Sequence, residues 1–172
     1  TTIIKKWGKK EASACALAFA SVIYFLLYFM HVSNPWLFCV LIFFGNLGTG
    51  MFNLMIWAFI TDVIDYQEVI SGEREDGTVY GIYSFARKLG QALAGGLGGY
   101  ALAWIGYVTS TDGAEIVQTT GVLNGIYSVA TLVPAVCYAI IALILFFWYP
   151  LSKQKIAENQ RKLGLDTTVK DA

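Results

Sequence analysis

The chain has 172 residues, a hydrophobic fraction of 56% and a positive mean hydropathy, too apolar a mix to coat a water-soluble domain. Twelve basic and 12 acidic side chains cancel, so net charge gives no sign of a polyanion, and no nucleic-acid partner is expected. Cys15, Cys39 and Cys137 all fall in apolar segments, which favours small buried or lipid-facing side chains over a disulfide or a metal site.

Three stretches carry no Asp, Glu, Lys or Arg: between Glu11 and Asp62, residues 89–111 and residues 116–152. A hydrocarbon core of about 30 Å is crossed by about 20 apolar helical residues, so each stretch is long enough for a crossing. In chain order, a basic loop over 1–11 precedes a span over 12–30. The break His31-Val-Ser-Asn-Pro35 is a turn signal, with His31 read as a structural residue at a helix end. A second span covers 36–60. A polar loop over 61–79 leads to a third span over 80–108, and a second loop near 109–120 leads to a fourth over 122–149, with a kink expected at Pro134. Pro150 closes it, and the tail over 150–172 is polar, with a short amphipathic helix before its end. The expected class is an all-α membrane protein of four transmembrane helices. The chain opens on Thr1 rather than Met, with no signal peptide before the first span, and reads as a fragment.

Lys5, Lys6, Lys9 and Lys10 precede the first span, Arg74 lies in the 61–79 loop, and Lys153, Lys155, Arg161, Lys162 and Lys170 are in the tail. The loops near Ser33 and Asp112 hold no Lys or Arg. The positive-inside rule then puts both ends and the 61–79 loop in the cytoplasm.

Two cations remain, Arg87 and Lys88, inside the third span. Lys88 is about eight residues in, which at 1.5 Å per residue is ~12 Å deep, near the midplane. An ammonium there costs at least about 2.5–3.5 kcal/mol and marks a substrate or ion path more often than a packing contact. Arg87 is shallower and can snorkel. Ser84, Lys88, Gln91 and Gly95 recur at steps of three and four and share a face, extended by Gly81 and Gly99. The second span carries Asn46, Gly50, Asn53 and Trp57 at the same spacing, and the fourth Asn124, Ser128 and Thr131. Packing is the simpler reading of Gly95-x-x-x-Gly99. For Asn53 and Gln91, interhelical hydrogen bonding and substrate contact both stay open. No carboxylate lies at the depth of Lys88, so its counter-charge is expected outside this chain, or Lys88 lines a wet cavity. In the 61–79 loop, acids surround a single Arg74. It is either a solvated loop or a gate whose acids exchange partners with Lys9 and Lys10.

Asp62-Val-Ile-Asp65-Tyr66-Gln-Glu68, then Gly72-Glu-Arg74-Glu-Asp-Gly77, then Tyr80-Gly-Ile-Tyr83-Ser84-Phe-Ala-Arg87-Lys88-Leu-Gly90-Gln91 resembles the glycoside–pentoside–hexuronide:cation symporters, the melibiose-permease-like branch of the major facilitator superfamily. The tail Tyr149-Pro150-Leu-Ser-Lys153 looks like the family's end. The resemblance covers nearly the whole chain and implies helices nine to twelve of twelve. It implies symport of a sugar or glycoside (a glycoside, pentoside or hexuronide) with Na⁺, H⁺ or Li⁺ by alternating access. Lys88 then couples the cation, approaching an acidic site of the N-terminal half. Asn53, Trp57, Tyr83, Ser84, Arg87 and Gln91 face the substrate cavity, and Asp62, Asp65, Tyr66, Glu68 and Arg74 form a cytoplasmic gate. The position matching Asn53 is aromatic in melibiose permease, a departure here. The implied partners are the sugar, the cation, the bilayer and the absent half, with no resident cofactor. The alternative is a self-contained four-helix scaffold or channel-forming subunit. A membrane-embedded enzyme would need His, Asp or Glu clustered at one depth, and the sequence has no such cluster.

Overall fold

The computed structural model describes residues 8–109 and 117–165. Lys5, Lys6, Asp112 and Lys170 lie outside the described residues, as do most of the predicted second loop and the end of the tail.

The described residues are helical, in the order α1 (Lys9–Met30), α2 (Pro35–Ser71), α3 (Asp76–Ile105), α4 (Thr120–Leu143) and α5 (Lys153–Lys162), with a π-helical turn, Ile144–Trp148, continuing α4. α1 is the centre, packed between α2 and α4. Its composition explains why. Ala12, Ser13, Ala14, Leu17, Ala20, Ser21, Ile23, Tyr24 and Leu27 are buried, and small residues let helix backbones approach closely where there is no hydrophobic drive between helices. A Cβ on Gly48 of α2 would strike the Ala16 carbonyl, and one on Gly45 would lie 3.0 Å from the Tyr24 ring. Across the other face the Ser21 hydroxyl donates to the Ala135 carbonyl at 2.7 Å. The Tyr127 hydroxyl donates to the Leu27 carbonyl at 2.7 Å and accepts from the Val32 amide at 3.2 Å. These bonds run α1 and α4 antiparallel.

The turn signal at 31–35 holds. His31 takes a left-handed φ of 43°, and its Nδ1 lies 3.0 Å from the Tyr28 carbonyl. Asn34 caps α2, accepting from the Trp36 and Leu37 amides, with Pro35 in the first turn where its missing N–H costs nothing. α4 starts on Thr119 and α5 on Ser152, each accepting an amide three residues on. The expected amphipathic tail helix is α5. α4 is continuous across Pro134, and its α geometry gives way to a π turn at Ile144–Trp148.

The 61–79 loop is corrected. α2 has 37 residues and, at 1.5 Å each, is about 56 Å long, well beyond a hydrocarbon core. Its last third, including Asp62, Asp65, Tyr66 and Glu68, is helix. The connection to α3 is residues 72–75 alone. Polarity misled here: acids fit a helix projecting into water as well as a loop. The stop is Gly72, at a left-handed φ of 77°, whose amide donates to the Glu68 carbonyl at 2.9 Å. α1, α2 and α4 with its π turn are long and apolar enough to cross a membrane. α3, at 30 residues, is long enough, but its glycines, Arg87, Lys88 and Gln91 dilute its apolar content.

Candidate functional site

α2 and α3 face each other across a cavity of about 580 Å³ lined by Asn53, Ile56, Trp57, Tyr83, Arg87, Gly90, Gln91 and Ala94. A second, of about 280 Å³, adjoins it around Tyr80, Tyr83, Ser84, Arg87, Lys88 and Gln91. All seven residues expected at the cavity or at the coupling position are therefore brought to one pair of cavities. Asn53, Trp57, Tyr83, Arg87 and Gln91 meet between α2 and α3, whereas Ser84 and Lys88 line the second cavity, whose walls come from α3 alone. The lining contains two cations and no carboxylate.

Trp57, Tyr80 and Tyr83 form an aromatic group at one side. Trp57 and Tyr80 stack with centroids 6.0 Å apart and planes 17° from parallel, and Tyr83 lies 6.3 Å from Trp57 and 6.2 Å from Tyr80. Tyr80 was not anticipated as a site residue. Its spacing of three from Tyr83 was the signal. The Asn53 amide donates to the Thr49 carbonyl of its own helix at 3.0 Å, and among the described residues it forms no hydrogen bond to another helix. Lys88 is exposed and forms no ion pair with any described residue. Asn46 lies away from the cavity, 3.5 Å from the Tyr24 hydroxyl. Thr131 is buried in the α1–α4 packing, donating to the Tyr127 carbonyl. Among the described residues a Cβ at Gly81, Gly90, Gly95 or Gly99 would touch nothing within 4 Å, so the small face of α3 is not packed by the other helices described.

Among the described residues the charged groups expected at a gate fall into two separate clusters, apart from the Lys155–Glu158–Lys162 pairs of α5. Lys9 at the start of α1 clasps both oxygens of Asp62 at 2.7 and 2.9 Å, with Asp62 only 2% exposed. Arg74 binds Glu68 at 2.8 Å, Asp76 at 3.0 Å and Asp65 at 3.2 Å. Hydrogen bonds to Glu68, Asp76 and Asp65 raise the Arg74 guanidinium above its already high ordinary value, so it stays charged at any working pH. Sequence reasoning paired Lys9 with these acids, and Lys9 does hold Asp62. Lys10 holds none of them, and Tyr66 joins neither cluster. Among the described residues no group of three His, Cys, Asp or Glu is placed to hold a metal ion, and the three cysteines are free.

The family described as MFS/sugar transport protein matches residues 1–153. The chain is 37% identical over 156 residues to the uncharacterised symporter YjmB of Bacillus subtilis, covering 91% of this chain and 33% of that protein. It is 34% identical to a putative sulfoquinovose importer of Escherichia coli, covering 92% of this chain and 34% of that one. It is 29% identical to the glucuronide carrier protein homolog of Escherichia coli, covering 91% and 33%. The chain thus spans about a third of the length of these relatives. No solved structure matches it. This chain belongs to the MFS/sugar transport protein family, in keeping with the symporter block it carries from Asp62 to Gln91.

Proposed function

We propose that the chain is the C-terminal part of a secondary active transporter that moves a sugar with a cation by alternating access, with α3 as the fourth membrane crossing and both ends cytoplasmic. The observation that carries this reading is the α2–α3 cavity, where Asn53, Gln91 and Arg87 stand beside Trp57 and Tyr83, with Lys88 in the adjoining cavity along α3. Aromatic faces suit the apolar faces of a sugar ring, and amide and guanidinium groups suit its hydroxyls. Arg87, with no carboxylate beside it in the lining, favours a substrate that bears a negative charge. A hexuronide fits that description, and two relatives are named as a glucuronide carrier homolog and a sulfoquinovose importer. In this reading Lys88 couples the flux of Na⁺, H⁺ or Li⁺ to the sugar, and its counter-charge comes from the rest of the transporter. Arg74 with Asp65, Glu68 and Asp76, together with Lys9 and Asp62, forms the cytoplasmic gate.

The test is uptake by the intact protein in proteoliposomes. A labelled glucuronide is expected to accumulate on an imposed Na⁺ or H⁺ gradient, ahead of its neutral glucoside counterpart. Arg87→Gln is expected to reduce that preference while leaving uptake of the neutral sugar. Absence of gradient-driven uptake of either sugar would return the chain to the scaffold reading.

A further inference from the structure

α1 and α4 pack closely along their buried faces, but on one side they leave a groove of about 510 Å³. On α1 it is lined by Ala14, Ala18, Ser21 and Phe25, which recur at steps of three and four and share a face. On the α4 side the π turn makes the wall. A π turn adds a residue to the helical repeat, and here it presents Phe146 and Phe147 together, 58% and 74% exposed, with rings 5.2 Å apart and edge to face. Small residues make the floor and phenyl rings the walls. The one hydroxyl in the lining, Ser21, is already spent on the Ala135 carbonyl. Such a groove takes a flexible hydrocarbon and offers nothing to a polar ligand.

Its end near the start of α1 is basic. Lys10 is one turn before Ala14 on the same helical face. Lys9 is occupied by Asp62, and Glu11 turns inward with Oε2 buried beside Gly8. Lys10 makes no ion pair with any described residue. The other end of the groove's helices, near His31 and Asn34, has no Lys or Arg. Hydrocarbon-shaped space with a cation at one mouth has the charge and shape of an anionic phospholipid of one leaflet.

We propose that the α1–α4 groove binds an anionic glycerophospholipid, its acyl chain lying against Ala14 and Ala18 and its phosphate at Lys10. The site depends on the chain lying in a membrane and is independent of which solute is carried.

Native mass spectrometry of the intact, detergent-purified protein tests it, with dioleoylphosphatidylglycerol and dioleoylphosphatidylcholine as the probes. Phosphatidylglycerol adducts are expected to form at about fivefold lower lipid concentration, the factor one lysine supplies at an anionic surface. Lys10→Gln is expected to bring the two lipids level. Ala18→Trp fills the groove from an exposed position and is expected to reduce adducts of both, with Ala18→Leu in its place if the larger side chain yields aggregated protein. Leu26→Trp, exposed and outside the lining, is expected to change neither. Equal binding of the two lipids by the unaltered protein, a preference that survives Lys10→Gln, or adducts that survive filling the groove would overturn the proposal. So would a dimer that excludes lipid and that Ala18→Trp dissolves, which would assign the groove to a second copy. Loss of sugar uptake bears on the transport reading alone.

Discussion

α1 and α3 are both long helices with small residues along one face, and they meet opposite fates. α1 has nine buried residues and is gripped on two sides, whereas α3 has none. Small residues on α1 are used up: Gly48 of α2 meets the Ala16 carbonyl, and Ser21 bonds across to α4. Glycines on α3 face open space, and its two cations find no acid among the described residues. The lesson concerns where each helix finds its partners. α1 is satisfied within the chain, so its sequence records packing. α3 carries a glycine face with open space around it and two cations with no ion-pair partner among the described residues, so its sequence records a surface that these helices leave unused.

Substitutions can break or sharpen that contrast. The largest effect is expected at Lys88. In the intact protein Lys88→Val should abolish cation-driven accumulation while expression and thermal stability stay near the parent, because the side chain packs against nothing buried here. Normal accumulation would remove its coupling role, and a collapse in stability would make α3 a packing helix after all. Next comes the matched pair of glycines. Gly48→Val forces a side chain into the Ala16 carbonyl and should cost about 1–3 kcal/mol or more, read as a fall in melting temperature. Gly95→Ala should leave the melting temperature unchanged or slightly raised, since its Cβ meets nothing and alanine is the better helix former. Equal losses at the two sites would erase the distinction between the helices.

Smaller effects are expected around the site. Arg74→Ala removes the partner of three carboxylates and should alter the transport rate more than equilibrium sugar binding, as a gate does. Equal loss of both would mean a structural role. Asn53→Ala should change sugar preference by a modest factor without lowering stability, since its amide bonds only its own helix. An unchanged substrate profile would take it out of the site.

Much of this was legible in the sequence because a membrane makes sequence patterns strict. Apolar length, the turn at 31–35 and helical spacing along 84–91 follow from the cost of exposing backbone polar groups in hydrocarbon and from 3.6 residues per turn. They announced the helices, and the family block announced most of the cavity. The end of α2 was not legible. Asp62, Asp65 and Glu68 are as compatible with a helix in water as with a loop, and the stop depends on one left-handed glycine, Gly72.

By itself, then, the sequence determined that the chain is membrane-embedded and helical, because this depends on composition and local spacing. Only the tertiary structure decided the rest. It put Tyr80 into a stack with Trp57, gave Asp62 to Lys9 and the other acids to Arg74, and left the glycine face of α3 unpacked. Each of those outcomes depends on how two helices distant in sequence are set against each other, and spacing along one helix carries no information about that.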